Sequence, residues 1–202
     1  RSYYKVKMNF IDIDSIGLFK QDMEIIKNFS LIISSGEKIN IFGKNGSGKT
    51  SLIKILCGIT NPSSGKIIIN RDLIFNKDVF YIGHKYGLKN ELSVYDNLDY
   101  ILRLNQGDKK VNIEDELNFY NIKNSVNSRV RYLSHGQKKI VSLIAPTLLD
   151  NKLWILDEPF TGLDQSVVNK FIMKIDSHVQ NSGSIVITSH NEKEGFKNIE
   201  LC

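Results

Sequence analysis

A glycine-rich loop at residues 43–50, Gly-Lys-Asn-Gly-Ser-Gly-Lys-Thr, constrains the fold more than any other feature of this sequence. The loop fits the phosphate-binding pattern G-x-x-x-x-G-K-[ST], and it lies between an apolar stretch at 38–42 and a helical stretch at 51–57. Glycines let consecutive backbone N–H groups curl around phosphate oxygens, and the helix that follows adds a favourable field. Since a chance glycine turn would lack this setting, the loop predicts an α/β nucleotide-binding fold.

The loop also supplies the first candidate site residues. Lys49 is expected to neutralise the β- and γ-phosphates during hydrolysis, and the Thr50 hydroxyl is placed to ligate Mg²⁺. The candidate nucleotide-binding residues are Gly43, Lys44, Asn45, Gly46, Ser47, Gly48, Lys49, Thr50 and Ser51.

A second motif is the apolar stretch at 153–156, which ends in Asp157 and Glu158. Asp157 would hold Mg²⁺ through water, as the acidic half of a phosphate-loop site does. Glu158 is then placed to orient and deprotonate the attacking water. The alternative is a strand that ends in two solvated acids, which is common in isolation. The glycine loop upstream favours the catalytic interpretation.

The polarity pattern predicts one α/β domain over residues 1–202, interrupted by a helical insertion at about 88–150. Strands are predicted at 5–13, 29–33, 38–42, 66–70, 79–82, 153–156 and 184–188. Helices are predicted at 51–57, 93–104, 113–120, 134–149 and about 166–179. Pro146 should kink or shorten the fourth of these helices, because it deletes a backbone hydrogen bond.

Composition excludes several classes of protein. The net charge of +5 could suggest a nucleic-acid or anionic-membrane partner, but the basic residues are mostly scattered lysines, so no nucleic acid is expected. No apolar run approaches the roughly 20 residues of a membrane-spanning helix, so another subunit would have to supply any spans. The two cysteines, Cys57 and Cys202, fit neither a disulfide framework nor a zinc site and indicate a reducing compartment. Cys57 is expected to be a small core residue.

Residues 133–137, Leu-Ser-His-Gly-Gln, resemble the signature of ABC (ATP-binding cassette) ATPases, which is usually Leu-Ser-Gly-Gly-Gln. In that family the signature opens a helix that points at the γ-phosphate of ATP bound to the other protomer. The resemblance assigns this role in trans to Ser134, His135, Gly136 and Gln137, with His135 replacing a glycine. A helix start capped by a small hydroxyl is indeed an anion site. An ordinary serine cap is the alternative.

Two further motifs extend the resemblance. Residues 161–164, Thr-Gly-Leu-Asp, resemble the family's D-loop, in which Asp164 would couple the two sites of a dimer. His190 follows an apolar strand and resembles the switch histidine that contacts the γ-phosphate. A lone histidine after a strand is usually structural, but the preceding motifs favour the catalytic role. No second histidine or cysteine lies at metal-ligand spacing from His190.

Two positions stay open. The family usually stacks adenine on an aromatic residue upstream of the loop, and Phe19 lies at about that separation, although it could equally be a core or turn aromatic. The family also places a Mg²⁺-sensing glutamine after the strand at 79–82. Here that position falls on His84, with Lys85 next, and a neutral imidazole can still accept from a metal-bound water.

A closer resemblance concerns residues 81–92 and 153–164, which are similar to the ATP-binding subunit of the cytochrome c maturation (heme exporter) system. It implies a P-loop NTPase of ABC type, with a RecA-like parallel-sheet core, an antiparallel β subdomain and a helical signature subdomain. It also implies ATP and Mg²⁺ as cofactors, an ATP-dependent homodimer and an integral membrane permease as partner. The subunit would lie peripherally on the cytoplasmic face of the inner membrane, or on the mitochondrial matrix face if organelle-encoded.

Three alternatives remain beside this interpretation. The chain could serve another small-substrate ABC exporter. It could be a soluble ABC ATPase acting on DNA or ribosomes, although such proteins usually carry a long coiled-coil insertion or two cassettes in one chain. It could also be a non-hydrolysing nucleotide-dependent scaffold. Glu158 argues against a scaffold, whereas His84, His135 and Pro146 leave room for one.

Overall fold

The computed structural model describes residues 8–21, 23–105 and 112–201 of the chain. The strands in these ranges are β1 Asn9–Lys20, β2 Met23–Ser34, β3 Lys38–Phe42, β4 Ser64–Ile69, β5 Val79–Ile82, β6 Leu153–Leu156, β7 Ser184–Ser189 and β8 Lys197–Glu200. The helices are α1 Lys49–Leu56, α2 Phe75–Asp78, α3 Val94–Leu104, α4 Ile113–Phe119, α5 His135–Thr147 and α6 Gln165–Gln180. Two 3₁₀ turns, Lys123–Ser125 and Val130–Tyr132, precede α5.

A five-stranded sheet in the order β5-β6-β7-β3-β8 forms the centre of the molecule, and its paired strands are parallel. Alternate residues of β6 face opposite sides: Trp154 and Leu156 pack with α5 and α6, whereas Leu153 and Ile155 pack with α1 and the second sheet. Burial on both faces explains why β6 is wholly apolar and why the centre of β7, residues 185–187, is apolar too. Because all carboxyl ends meet at one edge, the residues that follow β3, β5, β6 and β7 converge there.

The second sheet is antiparallel, in the order β2-β1-β4. Both strands of its hairpin are longer than the sequence predicts, since β1 runs on to Lys20 and β2 already begins at Met23. Register shifts between Ile13 and Ile16, and again near Leu18, interrupt the alternation of polar and apolar residues. Because of this interruption, an alternation with a period of two residues does not extend over the full length of the strands. Residues 5–7 of the first predicted strand lie outside the described residues.

The helical insertion contains α3, α4 and α5, close to the predicted bounds. Its interior joins the core on the α5–α6 side of the parallel sheet through Val94, Leu98, Leu117 and Ile144. Pro146 lies in the last turn of α5, which ends at Thr147, two residues before the predicted end at residue 149. The chain then tightens into three-residue turns, with Leu148 N–H donating to Ala145 O at 3.2 Å.

The edge strand β8 was not predicted from the sequence. It pairs in parallel with β3, and its four residues are mostly exposed, so they carry no apolar pattern. A buried amide holds it in place: Asn40 Nδ2 donates to Asn198 Oδ1 at 2.7 Å and to Asn191 O at 3.0 Å. Asn40 Oδ1 in turn accepts from Ser189 Oγ at 2.8 Å. Asn40 therefore fixes the segment that follows β7 and begins with His190.

We expect Asn40→Leu to lower the free energy of unfolding by about 2–4 kcal/mol, because it leaves several buried polar groups without partners. Urea denaturation followed by circular dichroism measures this loss. The matched control is Asn169→Leu on the exposed face of α6, which should change stability by less than about 0.5 kcal/mol. Equal stability of the two variants would contradict the role of Asn40.

Candidate nucleotide-binding site

The glycine loop leaves β3 at Phe42 and enters α1 at Lys49. Gly46 and Gly48 adopt positive φ angles of 83° and 95°, which side chains other than glycine rarely tolerate. A Cβ atom at Gly48 would also lie 2.8 Å from Ile25 Cγ2 and 3.1 Å from Ile25 O. Glycine is therefore required at position 48 for two reasons, its positive φ angle and the close approach of Ile25. The end of the β1–β2 hairpin packs against the loop.

The ammonium of Lys49 lies beneath this loop and is 95% buried, with a relative exposure of 5%. Its Nζ donates to Gly43 O at 2.7 Å and to Lys44 O at 2.9 Å. No carboxylate of the described residues forms a salt bridge with it. Ser47 Oγ, in the same loop, is buried without a hydrogen-bond partner. A buried cation with only neutral partners, beside an unpaired hydroxyl, is well suited to receive an anion.

Asp157 connects three elements of the site. Thr50 Oγ1 from α1 donates to Asp157 Oδ2 at 2.9 Å, and Thr188 Oγ1 from β7 donates to Asp157 Oδ1 at 2.6 Å. The carboxylate follows β6 and is nearly buried. The adjacent hydroxyl and carboxylate oxygens of Thr50 and Asp157 are the ligand type that Mg²⁺ prefers, so this pair fits the predicted metal.

Glu158, the next residue, has a φ of 48°, in the left-handed region that is uncommon for a residue with a side chain. Its N–H donates to Thr188 Oγ1 at 2.8 Å. Its carboxylate lies 3.4 Å from His190 Nε2, and the two side chains are 21% and 42% exposed. The predicted base and the predicted switch histidine therefore face each other at the open side of the site.

The signature residues form a separate surface at the start of α5. Ser134 Oγ accepts from Gln137 N–H, while Gln137 Oε1 accepts from Ser134 N–H at 2.9 Å, so the two side chains form a capping box. A Cβ atom at Gly136 would meet nothing within 4 Å. Exposed His135 is held by Tyr86, whose hydroxyl lies 2.9 Å from His135 Nε2. No hydrogen bond of the described residues joins this surface to the glycine loop of the same chain.

Three other candidates lie outside the hydrogen-bonded cluster of Lys49, Thr50 and Asp157 in the described residues. Phe19 lies in β1 and is 54% exposed, so it is not a core residue, and its strand partner Glu24 adjoins Ile25. Asp164 is the residue at the N-cap position of α6; its side chain makes no capping hydrogen bond, and the residue is exposed. His84 is exposed beyond β5, and no hydrogen bond or ion pair between described residues links it to Thr50 or Asp157.

Sequence reasoning missed two residues of this site. Thr188 was predicted only as the last residue of the strand at 184–188, although a threonine directly after the apolar residues of a strand is a visible signal for a buried hydroxyl contact. Lys139 donates to the backbone of Glu158, and its position two residues after the signature carried no signal of that contact.

The thiol of Cys57 lies at the end of α1, where burial and then the negative charge of Asp157 raise its pKa to about 12. The thiol is therefore neutral near pH 7, consistent with the predicted packing role.

Comparisons with known proteins agree on one family. The sequence profile of the ABC transporter family matches residues 26–161. The cytochrome c biogenesis ATP-binding export protein CcmA of Haemophilus ducreyi is 35% identical, and the match covers 94% of each chain. CcmA of Pseudomonas syringae pv. tomato is 32% identical, with 88% of each chain covered.

Solved structures support the same architecture. An ATP-binding protein assigned to an ABC transporter of Pyrococcus furiosus matches with a TM-score of 0.80 at 24% identity, covering 95% of this chain and 96% of that one. An ATP-binding cassette solved as a dimer in a post-hydrolysis state with ADP and Pi matches with a TM-score of 0.75 at 18% identity, covering 90% and 88%. At these identities the likeness shows the fold alone.

The predicted fold class is thereby confirmed, with a parallel core, an antiparallel sheet and a helical insertion. Among the helices of the described ranges, none combines the length and apolarity needed to cross a membrane. The matched profile and the curated relatives together show that the chain belongs to the ABC transporter family.

Proposed function

We propose that this chain is the ATP-hydrolysing subunit of a membrane complex of cytochrome c biogenesis, and that its work is the export or delivery of heme. The observation that carries the proposal is the clustering of Lys49, Thr50, Asp157 and Glu158 at one sheet edge. Similarity to CcmA proteins over most of the chain supports the specific system. The 202 residues would act as a single domain.

Binding of ATP starts at the glycine loop. Lys49 has two hydrogen bonds to neutral carbonyls, and its ammonium has a third proton for a phosphate oxygen. The backbone N–H groups of 43–51 and the first turn of α1 would bind the remaining phosphate oxygens. Phe19, exposed next to the hairpin end that touches Gly48, is proposed to stack on adenine.

Mg²⁺ would be held by Thr50 Oγ1 and, directly or through water, by Asp157. When bound, the ion supplies positive charge to the β- and γ-phosphate oxygens. The hydrogen bond from Thr188 to Asp157 Oδ1 orients the carboxylate, whether Oδ2 accepts from Thr50 or has another partner. His84 is proposed to take the place of the family's Mg²⁺-sensing glutamine.

The proton of the attacking water is accepted by the Glu158 carboxylate. His190 lies 3.4 Å from that carboxylate and is proposed to contact both the base and the γ-phosphate and to orient them. Both side chains are partly open to solvent, so the site needs a cover before water is restricted to one position.

A second copy of this chain is the proposed cover. Ser134, Gly136 and Asp164 make no bond to the glycine loop of their own chain, and Gly136 faces open space. Because no described residue lies within 4 Å of a Cβ atom built at Gly136, the glycine leaves room for a phosphate to approach the start of α5. His135 and Gln137 would complete the surface that contacts the partner's ATP.

Removal of the base tests the mechanism. Glu158→Gln should lower turnover about 10²–10⁴-fold while keeping ATP affinity, because the amide cannot accept the proton. We expect an ATP-dependent dimer to accumulate in size-exclusion chromatography with light scattering. Lys49→Ala is the contrasting variant, and it should lose nucleotide binding and the dimer together. Unchanged turnover in Glu158→Gln would show that the base is a different residue.

Co-purification tests the membrane system. The chain should form a complex with the cytochrome c maturation membrane subunit of its own genome, and its ATPase activity should rise in that complex. Pairing with an unrelated permease instead would support a different small-substrate exporter and contradict the heme assignment.

A further inference from the structure

The strongest feature outside the predicted motifs is a buried ammonium group beside the proposed base. Lys139 lies on the second turn of α5 and has a relative exposure of 7%. Its Nζ donates to Glu158 O at 2.7 Å and to Thr161 O at 2.6 Å. These two carbonyls lie three residues apart in the segment 157–164, which leads from β6 to α6.

Holding a cation in this place costs free energy. Burial lowers the pKa of Lys139, and the negative charges of Glu158 and Asp157 act in the opposite direction. The next residue, Ile140, fills its buried position with an apolar side chain, as the rest of the helix interior does. Packing alone therefore does not call for a lysine at position 139, whereas the two backbone carbonyls that it contacts do. The Glu158 carbonyl also accepts a longer bond, 3.4 Å, from Thr161 N–H.

The effect of these bonds falls on Glu158. Both polar groups of its backbone form hydrogen bonds: its N–H donates to Thr188 Oγ1, and its carbonyl accepts from Lys139 Nζ. A residue with a side chain at φ 48° needs such external support to stay in that conformation. The direction of the Glu158 carboxylate towards His190 follows from this fixed backbone.

We propose that Lys139 is a positioning residue for Glu158. We also propose that it couples the position of α5, the helix that begins at the signature, to the position of the base in the same chain. This inference rests on the proposed function. Ser134 and Gly136, at the start of α5, would contact the ATP of the partner copy, while Lys139 on the next turn holds the base of its own site. A shift of α5 when the dimer closes would therefore move the Lys139 ammonium that holds the Glu158 backbone.

The test compares Lys139→Met and Lys139→Gln with the unaltered chain, each purified with its membrane subunit. Lys139→Met should lower kcat about 10–100-fold, as expected for a base displaced by a fraction of an ångström to about 1 Å, with KM and ATP affinity within about twofold. The ATP-bound dimer should accumulate as it does for Glu158→Gln. Lys139→Gln keeps amide donors on a shorter side chain and should give an intermediate kcat.

The matched control is Lys138→Met, one residue earlier on the same helix. The ammonium of Lys138 makes no side-chain hydrogen bond or ion pair with the described residues, so this variant should keep the activity of the unaltered chain. Thermal unfolding reports whether each variant is folded. If Lys139→Met is unfolded, the kcat and KM of Lys139→Gln decide the question.

Two outcomes would overturn the inference alone: a kcat within twofold of the unaltered chain in the folded Lys139 variants, or equal losses of kcat and ATP affinity. The second outcome would indicate a general structural role. Failure of the unaltered chain to hydrolyse ATP with its membrane subunit would instead overturn the proposed function and this inference with it.

Discussion

The site depends on one buried carboxylate and the two hydroxyl groups that donate to it. Asp157 receives a hydrogen bond from Thr50 on α1 and another from Thr188 on β7, and it follows β6 directly. These bonds join the helix of the phosphate loop to the two central strands. A carboxylate removed from water is costly without a cation, and hydroxyl donors offset only part of that cost, about 1.5–3 kcal/mol for each bond to a charged group.

Lys49 presents the opposite case, since its buried ammonium contacts only carbonyl oxygens. Among the described residues Lys49 forms no salt bridge with an anion and Asp157 forms none with a cation, and both lie at the same edge of the sheet. Mg²⁺ and ATP would together supply the missing charges, and this complementarity would allow the site to be organised before its ligand arrives. The parallel strand order brings the charges together, because it gathers the ends of β3, β6 and β7.

Much of this arrangement could be predicted from sequence, and the exceptions have physical causes. β3, β5 and β6 are continuous short runs dominated by apolar residues and were predicted with their observed bounds, whereas the bulged hairpin of β1 and β2 breaks the alternation on which prediction depends. β8 is mostly exposed and is held by the side chain of Asn40, about 150 residues away, so no local pattern reveals it. Lys139 was missed for the same reason: its partners are distant backbone carbonyls, which leave no mark on the sequence around it.

The residues proposed to act on the partner's ATP lie on a different part of the chain from those proposed to act on its own ATP. Lys49, Thr50, Asp157, Glu158 and His190 lie on one connected edge of the chain, whereas Ser134, Gly136 and Asp164 are presented outward. Under this proposal each chain would offer one half of two different sites. Lys139 links these halves within a single chain, so both would respond to one movement of α5.

The most direct test of this account is the kinetics of Thr188→Val, an isosteric change that removes one donor to Asp157 and the acceptor for Glu158 N–H. The measurement is kcat together with ATP affinity for the chain in its membrane complex. The account predicts a fall in kcat of about tenfold or more, since a bond to a charged group is lost, with ATP affinity changed less than about threefold. Turnover equal to that of the unaltered chain would contradict the claim that the Asp157–Thr188 bond organises the catalytic edge.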